Sequence, residues 1–511
     1  MKLFSIKENI FINMMSMAFI MIITFIATPY YLKYLGPEAF GLIGFFYLFS
    51  MCISIFDFGF SPFLQREIAK STDNKYIYIN LNSVIQIVTI YFILILILIN
   101  ILSQPLSEFV ANNWLTPDAW SLLTLDEVEK SIRLIFLASS LLMVVNLFKC
   151  GLTGYQFHYW LNIFLTLTSI FRYFGSILLI GIFNGSITDF FIYQALIALV
   201  EVIALSIKFY SYSSYNLLSF GNLNIELCKK IITATSKISI ISVLTIMTYQ
   251  LDKILLSKVL PLEEYGYFSL IVMICSGLIV ISVPIRRAIQ PKVSILFLSK
   301  KIDASIEIYR KASHLITIIV GAIVITICIY SEPIILFWTN DYTTSLWVSE
   351  RLYLFIIGAG LLTIQAILLS LQESSGDLNL QIKLSLIFFI IQIPVMLFCV
   401  LFFGIIFKKP VIGIGLAWLG IRIISFLVTT SLIHKTYNTH LNKLWFFKDF
   451  FPVILLQTLV GLLLHKFISS ELLASLDNPI FIIIFSGFIL ISSGIFSSHY
   501  THSYIISRIR R

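Results

Sequence analysis

Charged residues inside long apolar stretches are the features of this sequence most able to do chemistry. Arg172 lies in LTSIFRYFGSILL, Glu201 in IALVEVIALS, Lys237 in TATSKISIIS, Arg422 in WLGIRIISF and Asp57 in CISIFDFGF. A charge in an apolar environment is costly unless it pairs with another group or faces a wet cavity. Each of these five residues is therefore a candidate for a binding site or for a structural ion pair.

Cations outnumber acids at these deep positions, and that surplus favours an anionic ligand. A pyrophosphate suits arginine because its oxygens accept bidentate hydrogen bonds from the guanidinium. Arg172, Lys237 and Arg422 are therefore the first candidates for substrate binding. Arg172 and Glu201 also form an obvious structural pair, and both interpretations stay open from the sequence.

Two further groups of charged residues lie nearer the ends of apolar stretches. Arg133 and Lys149 lie at opposite ends of one apolar stretch, where their long side chains can place the charged group at the membrane surface. A structural role is therefore the favoured interpretation, with substrate binding as the alternative. Asp252 and Lys253 are adjacent and can pair locally. Candidates for binding a coupling proton or sodium ion, or for a structural role, are the acids Asp57, Glu201 and Asp252.

The elements that position these residues are membrane spans. Of the 511 residues, 59% are hydrophobic and 12% charged, too apolar for a soluble globular protein. A span needs about 20 apolar residues, which predicts an all-α integral membrane protein with about fourteen transmembrane helices. The predicted spans are 9–29, 40–62, 81–104, 130–150, 159–183, 187–208, 231–252, 265–287, 312–331, 351–371, 381–406, 411–434, 449–466 and 478–498.

Lysine and arginine concentrate in alternate loops, most strongly between Arg286 and Lys311. The positive-inside rule then predicts that both termini are cytoplasmic. The same rule accounts for the net charge of +9, so nucleic acid is not an expected partner. The six cysteines are scattered and contain no CxxC pair, so no metal site or cofactor is expected.

A short repeat organises the chain. Leu35–Gly41 (LGPEAFG) resembles Leu260–Gly266 (LPLEEYG), although chance similarity is an alternative. A true repeat predicts two parallel six-helix lobes related by a pseudo-two-fold axis along the membrane normal. The predicted domains are an N-terminal lobe at 1–210, a cytoplasmic linker at 211–230, a C-terminal lobe at 231–434, and an extra helix pair with a basic tail at 435–511.

No sequence motif of an enzyme is evident. P-loop, HExxH and GxSxG motifs are missing, and the longest predicted loop has about 25 residues. The chain is therefore not expected to be an enzyme. A membrane glycosyltransferase or polymerase remains the alternative from a different class, and it would need catalytic acids in the loop from Glu108 to Glu129.

Several short motifs resemble the Wzx-type polysaccharide flippases of the multidrug/oligosaccharidyl-lipid/polysaccharide exporter superfamily. The likeness is best over roughly the first 290 residues. The motifs that carry it are Tyr34–Glu38 with Phe40 and Gly41, Asp57–Phe60, Arg66–Glu67, Gly154–Gln156 with Asn162, Asp252–Lys253 and Tyr265–Gly266.

This resemblance implies a two-lobed, alternating-access transporter of the inner (cytoplasmic) membrane. Its substrate would be a polyprenyl-pyrophosphate-linked oligosaccharide, such as the O-antigen repeat unit of lipopolysaccharide, moved to the outer leaflet. A polysaccharide polymerase and chain-length proteins are implied partners. Such transporters most often have twelve spans, whereas the lipid II flippases of the superfamily have fourteen and are a close alternative. A multidrug/cation antiporter is a third, but it predicts that acids dominate the cavity.

Overall fold

The computed structural model describes residues 6–71, 78–115, 123–213, 225–376, 379–468 and 480–497. Throughout these ranges the backbone forms helices joined by short turns, and no β-strand occurs in them. Helices satisfy every backbone hydrogen bond within one segment, as a lipid environment requires. The predicted all-α fold is therefore confirmed.

The described chain divides into two compact units, Met1–Gly266 and Tyr267–Arg511. The first unit contains seven helices and the start of an eighth. These are α1 Ile6–Ile53, α2 Phe60–Ser71, α3 Tyr78–Phe109, α4 Leu125–Gly154, α5 His158–Gly181, α6 Ile187–Tyr212, α7 Ile225–Val259 and α8 Leu262–Val280.

The second unit contains the rest of α8 and, within the described residues, ten further helices, three of them shorter than ten residues. These are α9 Ser282–Leu298, α10 Ile302–Ile329, α11 Ser331–Thr339, α12 Tyr342–Gln365, α13 Leu369–Ser375, α14 Asn379–Phe407, α15 Pro410–Tyr437, α16 Leu441–Leu444, α17 Phe451–Phe467 and α18 Ile480–Phe496. Helix α7 therefore belongs to the first unit. The division into two lobes joined by a linker at 211–230 remains a prediction.

Four of the fourteen predicted spans, 40–62, 265–287, 312–331 and 351–371, cross a break between helices, and the described parts of the other ten lie on one helical segment apart from a few end residues. Eleven helical segments within the described ranges are long and apolar enough to cross a membrane. One of them, Ile12–Asp57, is 46 residues long and contains most of the first two predicted spans, 9–29 and 40–62, since a span needs only about 20 residues. The seventh predicted span lies on α7, and the fourteenth lies on the shorter α18.

The predicted loop between the first two spans is a kink within α1 rather than a separate turn. Gly36 has φ 82° and ψ 169°, a backbone conformation that is essentially restricted to glycine. Pro37 follows it and lacks an N–H for the helical hydrogen-bond ladder. Together these two residues interrupt the helical backbone with a kink and so separate the two spans.

Other helix breaks also follow local sequence. Lys408 has a positive φ of 54°, and α15 begins with Pro410 in its first turn, where proline is favoured. The split predicted at Phe407–Pro410 is therefore confirmed. In the first unit, the chain between α1 and α2 passes through a 3-10 turn at Ser54–Asp57, then Phe58 with φ 43° and Gly59 with φ 73°.

Large apolar side chains cover the outer faces of many helices. On α14 and α18 the exposed ones include Ile390, Phe398, Ile405, Phe481 and Phe488. Such a surface would be an aggregation hazard in water, but it is the expected surface for contact with lipid tails. The protein is therefore a multi-pass membrane protein.

Candidate functional site

Arg172 lies near the middle of α5 and points at α6. Its Nη1 donates to Oε1 of Gln194 at 2.9 Å, and its Nη2 donates to Oε2 of Glu201 at 2.8 Å. Gln194 and Glu201 are seven residues apart, two turns of one helix, and so share a face of α6. The pair predicted between Arg172 and Glu201 is confirmed, and Gln194 is its third member.

The pair is enclosed within the first unit. The side chains of Arg172 and Glu201 keep only 13% and 6% of their accessible surface, and Gln194 is buried. Breaking a buried ion pair by removing one partner costs about 3–5 kcal/mol, because the other charge is left without compensation. The two helices are therefore held together at a charge-balanced contact.

Four tyrosines on three helices lie at, or form hydrogen bonds with, residues of α5 within four positions of Arg172. Tyr31 of α1 shares a hydrogen bond with Oγ of Ser176 at 2.6 Å, and Tyr193 of α6 donates to the carbonyl of Phe171 at 2.7 Å. The hydroxyls of Tyr47 and Tyr173 lie 3.4 Å apart. We refer to Arg172, Gln194 and Glu201 with Tyr31, Tyr47, Tyr173 and Tyr193 as the Arg172 cluster.

Asp57 lies at the break between α1 and α2. Its Oδ1 accepts hydrogen bonds from the backbone N–H of Ser61 at 2.9 Å and from the Ser61 hydroxyl at 2.7 Å. It thereby satisfies one of the free N–H groups at the start of α2. Tyr91 donates to the carbonyl of Phe56 at 2.7 Å, and Ser239 of α7 donates to that of Phe58 at 2.5 Å.

Asp252 and Lys253 form a second local arrangement in the first unit. Asp252 is buried, and Nζ of Lys253 lies 3.3 Å from its Oδ1 and 2.5 Å from the carbonyl of Tyr249. The local pair predicted from the sequence is therefore present. Because Lys253 compensates Asp252, this acid does not stand as an isolated charge.

The side chains of three of the other four predicted cations are described, and each is characterised by itself. Arg422 belongs to the second unit, where it is buried with its guanidinium 4.0 Å from the ring centre of Trp418, a cation–π contact. Arg133 and Lys149 are exposed on α4. Lys237 lies on α7, but its side chain lies outside the described part of the structure.

The second unit contains a buried polar network that the sequence did not reveal. Arg310 on α10 binds both carboxylate oxygens of Asp449, with distances of 2.6 and 2.9 Å. Nδ1 of His314 lies 2.8 Å from the Asp449 carbonyl, and Trp445 donates to Ser313 at 2.9 Å. The sequence feature that could have indicated this network is the single acid in the aromatic segment WFFKDF.

This network is built to hold helices together. Asp449 and Trp445 lie in a π-helical segment, Trp445–Phe450, just before α17, and their partners lie on α10. Within the described ranges, no group of three or more His, Cys, Asp or Glu side chains could hold a metal ion.

Comparison with known proteins gives a family and a fold. The family described as "Polysaccharide biosynthesis protein" matches residues 6–297, which is more than half of the chain. No curated protein matches the sequence.

Solved structures similar in fold include three transporters of different type. An inward-facing multidrug resistance MATE family transporter of the MOP superfamily has a TM-score of 0.68 and 13% identity, covering 81% of this chain and 95% of its own. The lipid II flippase MurJ in an inward closed conformation has a TM-score of 0.68 and 16% identity, covering 98% and 99%. A MOP superfamily transporter from Pyrococcus furiosus has a TM-score of 0.57 and 15% identity, covering 84% and 96%.

Proposed function

Because the chain belongs to the family of polysaccharide biosynthesis proteins, we propose that it is a flippase for polyprenyl-pyrophosphate-linked oligosaccharides. It would carry the saccharide headgroup from the cytoplasmic to the outer leaflet by alternating access. The family match over residues 6–297 is the observation that carries this proposal. The fold shared with transporters of the MOP superfamily supports it.

The physical problem of flipping explains the combination of features. A saccharide pyrophosphate cannot cross a bilayer unaided, since charged and polar groups are expensive in hydrocarbon. The protein combines lipid-facing apolar helices, beside which a polyprenyl tail can remain, with polar groups kept inside the first unit. Arg172, Gln194 and Glu201 are such groups, near the middle of α5 and α6.

The charged candidates then differ in the roles that we assign them. Arg172 is compensated by Glu201, so it contributes hydrogen-bond donors rather than net positive charge. Arg422 and Lys237 remain our candidates for the pyrophosphate, with Arg133 and Lys149 as weaker ones. Asp57 accepts two hydrogen bonds from Ser61, which favours its structural role over coupling-ion binding.

The proposed setting follows from the same function. The protein would lie in the cytoplasmic membrane with both termini inside, which the distribution of lysine and arginine supports. A polysaccharide polymerase and chain-length proteins would act on the exported unit. An O-antigen repeat unit is the first substrate to test.

Reconstitution into liposomes tests the proposal. Liposomes would carry the lipid-linked saccharide fraction extracted from the membranes of the cell that makes the protein. A saccharide-cleaving enzyme outside the liposomes would then measure how much lipid becomes accessible with time. We expect protein-containing liposomes to expose nearly all of the lipid and protein-free liposomes about half. Equal exposure in both would reject flipping of this lipid.

Lipid II is the second candidate substrate. The match to MurJ covers 98% of this chain, against 81% for the MATE transporter. The same liposomes loaded with lipid II distinguish the two candidates. Faster exposure of lipid II than of the extracted saccharide lipids would favour the second candidate.

A further inference from the structure

The Arg172 cluster is poorly suited to a pyrophosphate. The Arg172 guanidinium lies 2.8 Å from the Glu201 carboxylate, so their charges cancel. A pyrophosphate brought to Arg172 would also meet the negative charge of Glu201 at short range and would be repelled by it. The ligand that fits this position carries no net charge.

The same residues are well suited to hydroxyl groups. A guanidinium has five N–H donors, and Arg172 directs two of them at Gln194 and Glu201. The glutamate offers acceptor lone pairs, and the glutamine amide offers both donors and acceptors. A sugar hydroxyl both donates and accepts, so this mixture of groups matches it without any charge to neutralise.

The tyrosines add a surface for sugar rings. Tyr47 keeps 46% of its accessible surface, while its hydroxyl lies 3.4 Å from that of the buried Tyr173. A tyrosine ring has an apolar face and a polar hydroxyl. A sugar ring likewise has apolar C–H faces and polar hydroxyls. Tyr31 and Tyr193 are held by their own hydrogen bonds to residues of α5.

We propose that the Arg172 cluster binds the saccharide part of the lipid-linked substrate through its hydroxyls, while the pyrophosphate is bound elsewhere. This inference rests on the proposed function and assigns one part of the substrate to one set of residues. Arg172, whose side chain keeps 13% of its surface, supplies hydrogen bonds, the buried Gln194 and Glu201 hold it in position, and Tyr47 supplies the ring contact. A polar pair kept inside a membrane protein is expected to be functional.

The test is a binding measurement on the full chain in lipid nanodiscs with two probes. One probe is the polyprenyl-pyrophosphate saccharide fraction extracted from the membranes of the source cell. The other is undecaprenyl pyrophosphate, which lacks the saccharide. We expect the unaltered protein to bind the first probe about tenfold more tightly than the second, as one or two net hydrogen bonds would give.

The decisive variant is Arg172→Met combined with Glu201→Leu. Replacing both members of a buried pair by apolar residues is often neutral or stabilising, so the fold is expected to survive. This variant should lose the tenfold preference and keep the affinity for undecaprenyl pyrophosphate. The matched control is Arg310→Met with Asp449→Leu, a buried pair in the second unit, which should keep the preference.

Two results would overturn the inference. An equal loss of affinity for both probes would place the pyrophosphate at Arg172, and an unchanged preference would leave the pair purely structural. If the double variant does not fold, Tyr47→Leu provides a second test at an exposed position. This variant should also reduce the preference for the saccharide-bearing probe. If the unaltered protein binds neither probe, the proposed function fails as well. If it binds both equally, only this inference fails.

Discussion

Gly41 and Gly266 meet through their backbones, with no room for a side chain on either. A Cβ atom built on Gly41 would lie 2.3 Å from the carbonyl oxygen of Leu262, and one built on Gly266 would lie 2.2 Å from that of Pro37. The contact is reciprocal, because Gly266 and Leu262 stand 225 positions after Gly41 and Pro37. Reciprocal contacts of this kind are the pattern expected around a two-fold axis, which supports the repeat between LGPEAFG and LPLEEYG.

Gly41→Ala and Gly266→Ala should each destabilise the protein by about 1–3 kcal/mol, because the added carbon forces two backbones apart. Thermal unfolding in detergent measures the effect. Gly420→Ala is the matched control, since a Cβ there has nothing within 4 Å. Equal midpoints for all three variants would show that the two backbones do not approach so closely.

Gly36 should be intolerant of substitution for a different reason. A Cβ at Gly36 also has nothing within 4 Å, so Gly36→Ala tests backbone strain alone, and we expect a loss of about 1–3 kcal/mol. Gly376, with φ 75° and ψ −3°, is in the left-handed helical region that asparagine also adopts. Gly376→Asn should therefore unfold at nearly the same temperature as the unaltered protein, and a large loss there would contradict this account.

Two substitutions at Asp57 distinguish a structural role from coupling-ion binding. Asp57→Asn retains an oxygen acceptor for Ser61 but has no charge, whereas Asp57→Ala removes the acceptor. We expect Asp57→Ala to lose about 1 kcal/mol of stability and Asp57→Asn to flip lipid at the normal rate in liposomes. A stable Asp57→Asn protein that no longer transports would instead assign Asp57 to coupling-ion binding.

Gln457 should hold α17 and α18 against α10. Its Nε2 donates to the carbonyls of Ile318 and Leu490 at 2.9 and 3.1 Å, and its side chain is buried. Gln457→Leu should lose about 1 kcal/mol, the size found for hydrogen bonds between membrane helices. Thr458→Ala is the control, because Thr458 is exposed and bonds only within its own helix. Similar unfolding temperatures for the two variants would count against this role.

Much of the fold could be read from the sequence. Apolar runs of span length indicated where the long helices lie, although four predicted spans cross a break between helices, and Pro410 indicated the break after α14. The sequence predicts a loop where the structure has a kink at Gly36. Hydropathy shows where polar residues separate two spans, but it does not show which backbone angles one glycine adopts. The ion pair of Arg172 and Glu201 was foreseen as one alternative because two deep, opposite charges lie on neighbouring helices.

Only the tertiary structure shows the contact partners of these residues. Gln194 joins Arg172, Asp449 joins Arg310 across more than 130 residues of chain, and Gly41 meets Leu262. Hydropathy, which is a sum over neighbouring residues, indicates the membrane class and the approximate positions of the spans, but it missed the buried pair of Arg310 and Asp449. Which charges neutralise one another depends on distances between helices far apart in the chain, and only their packing decides those distances.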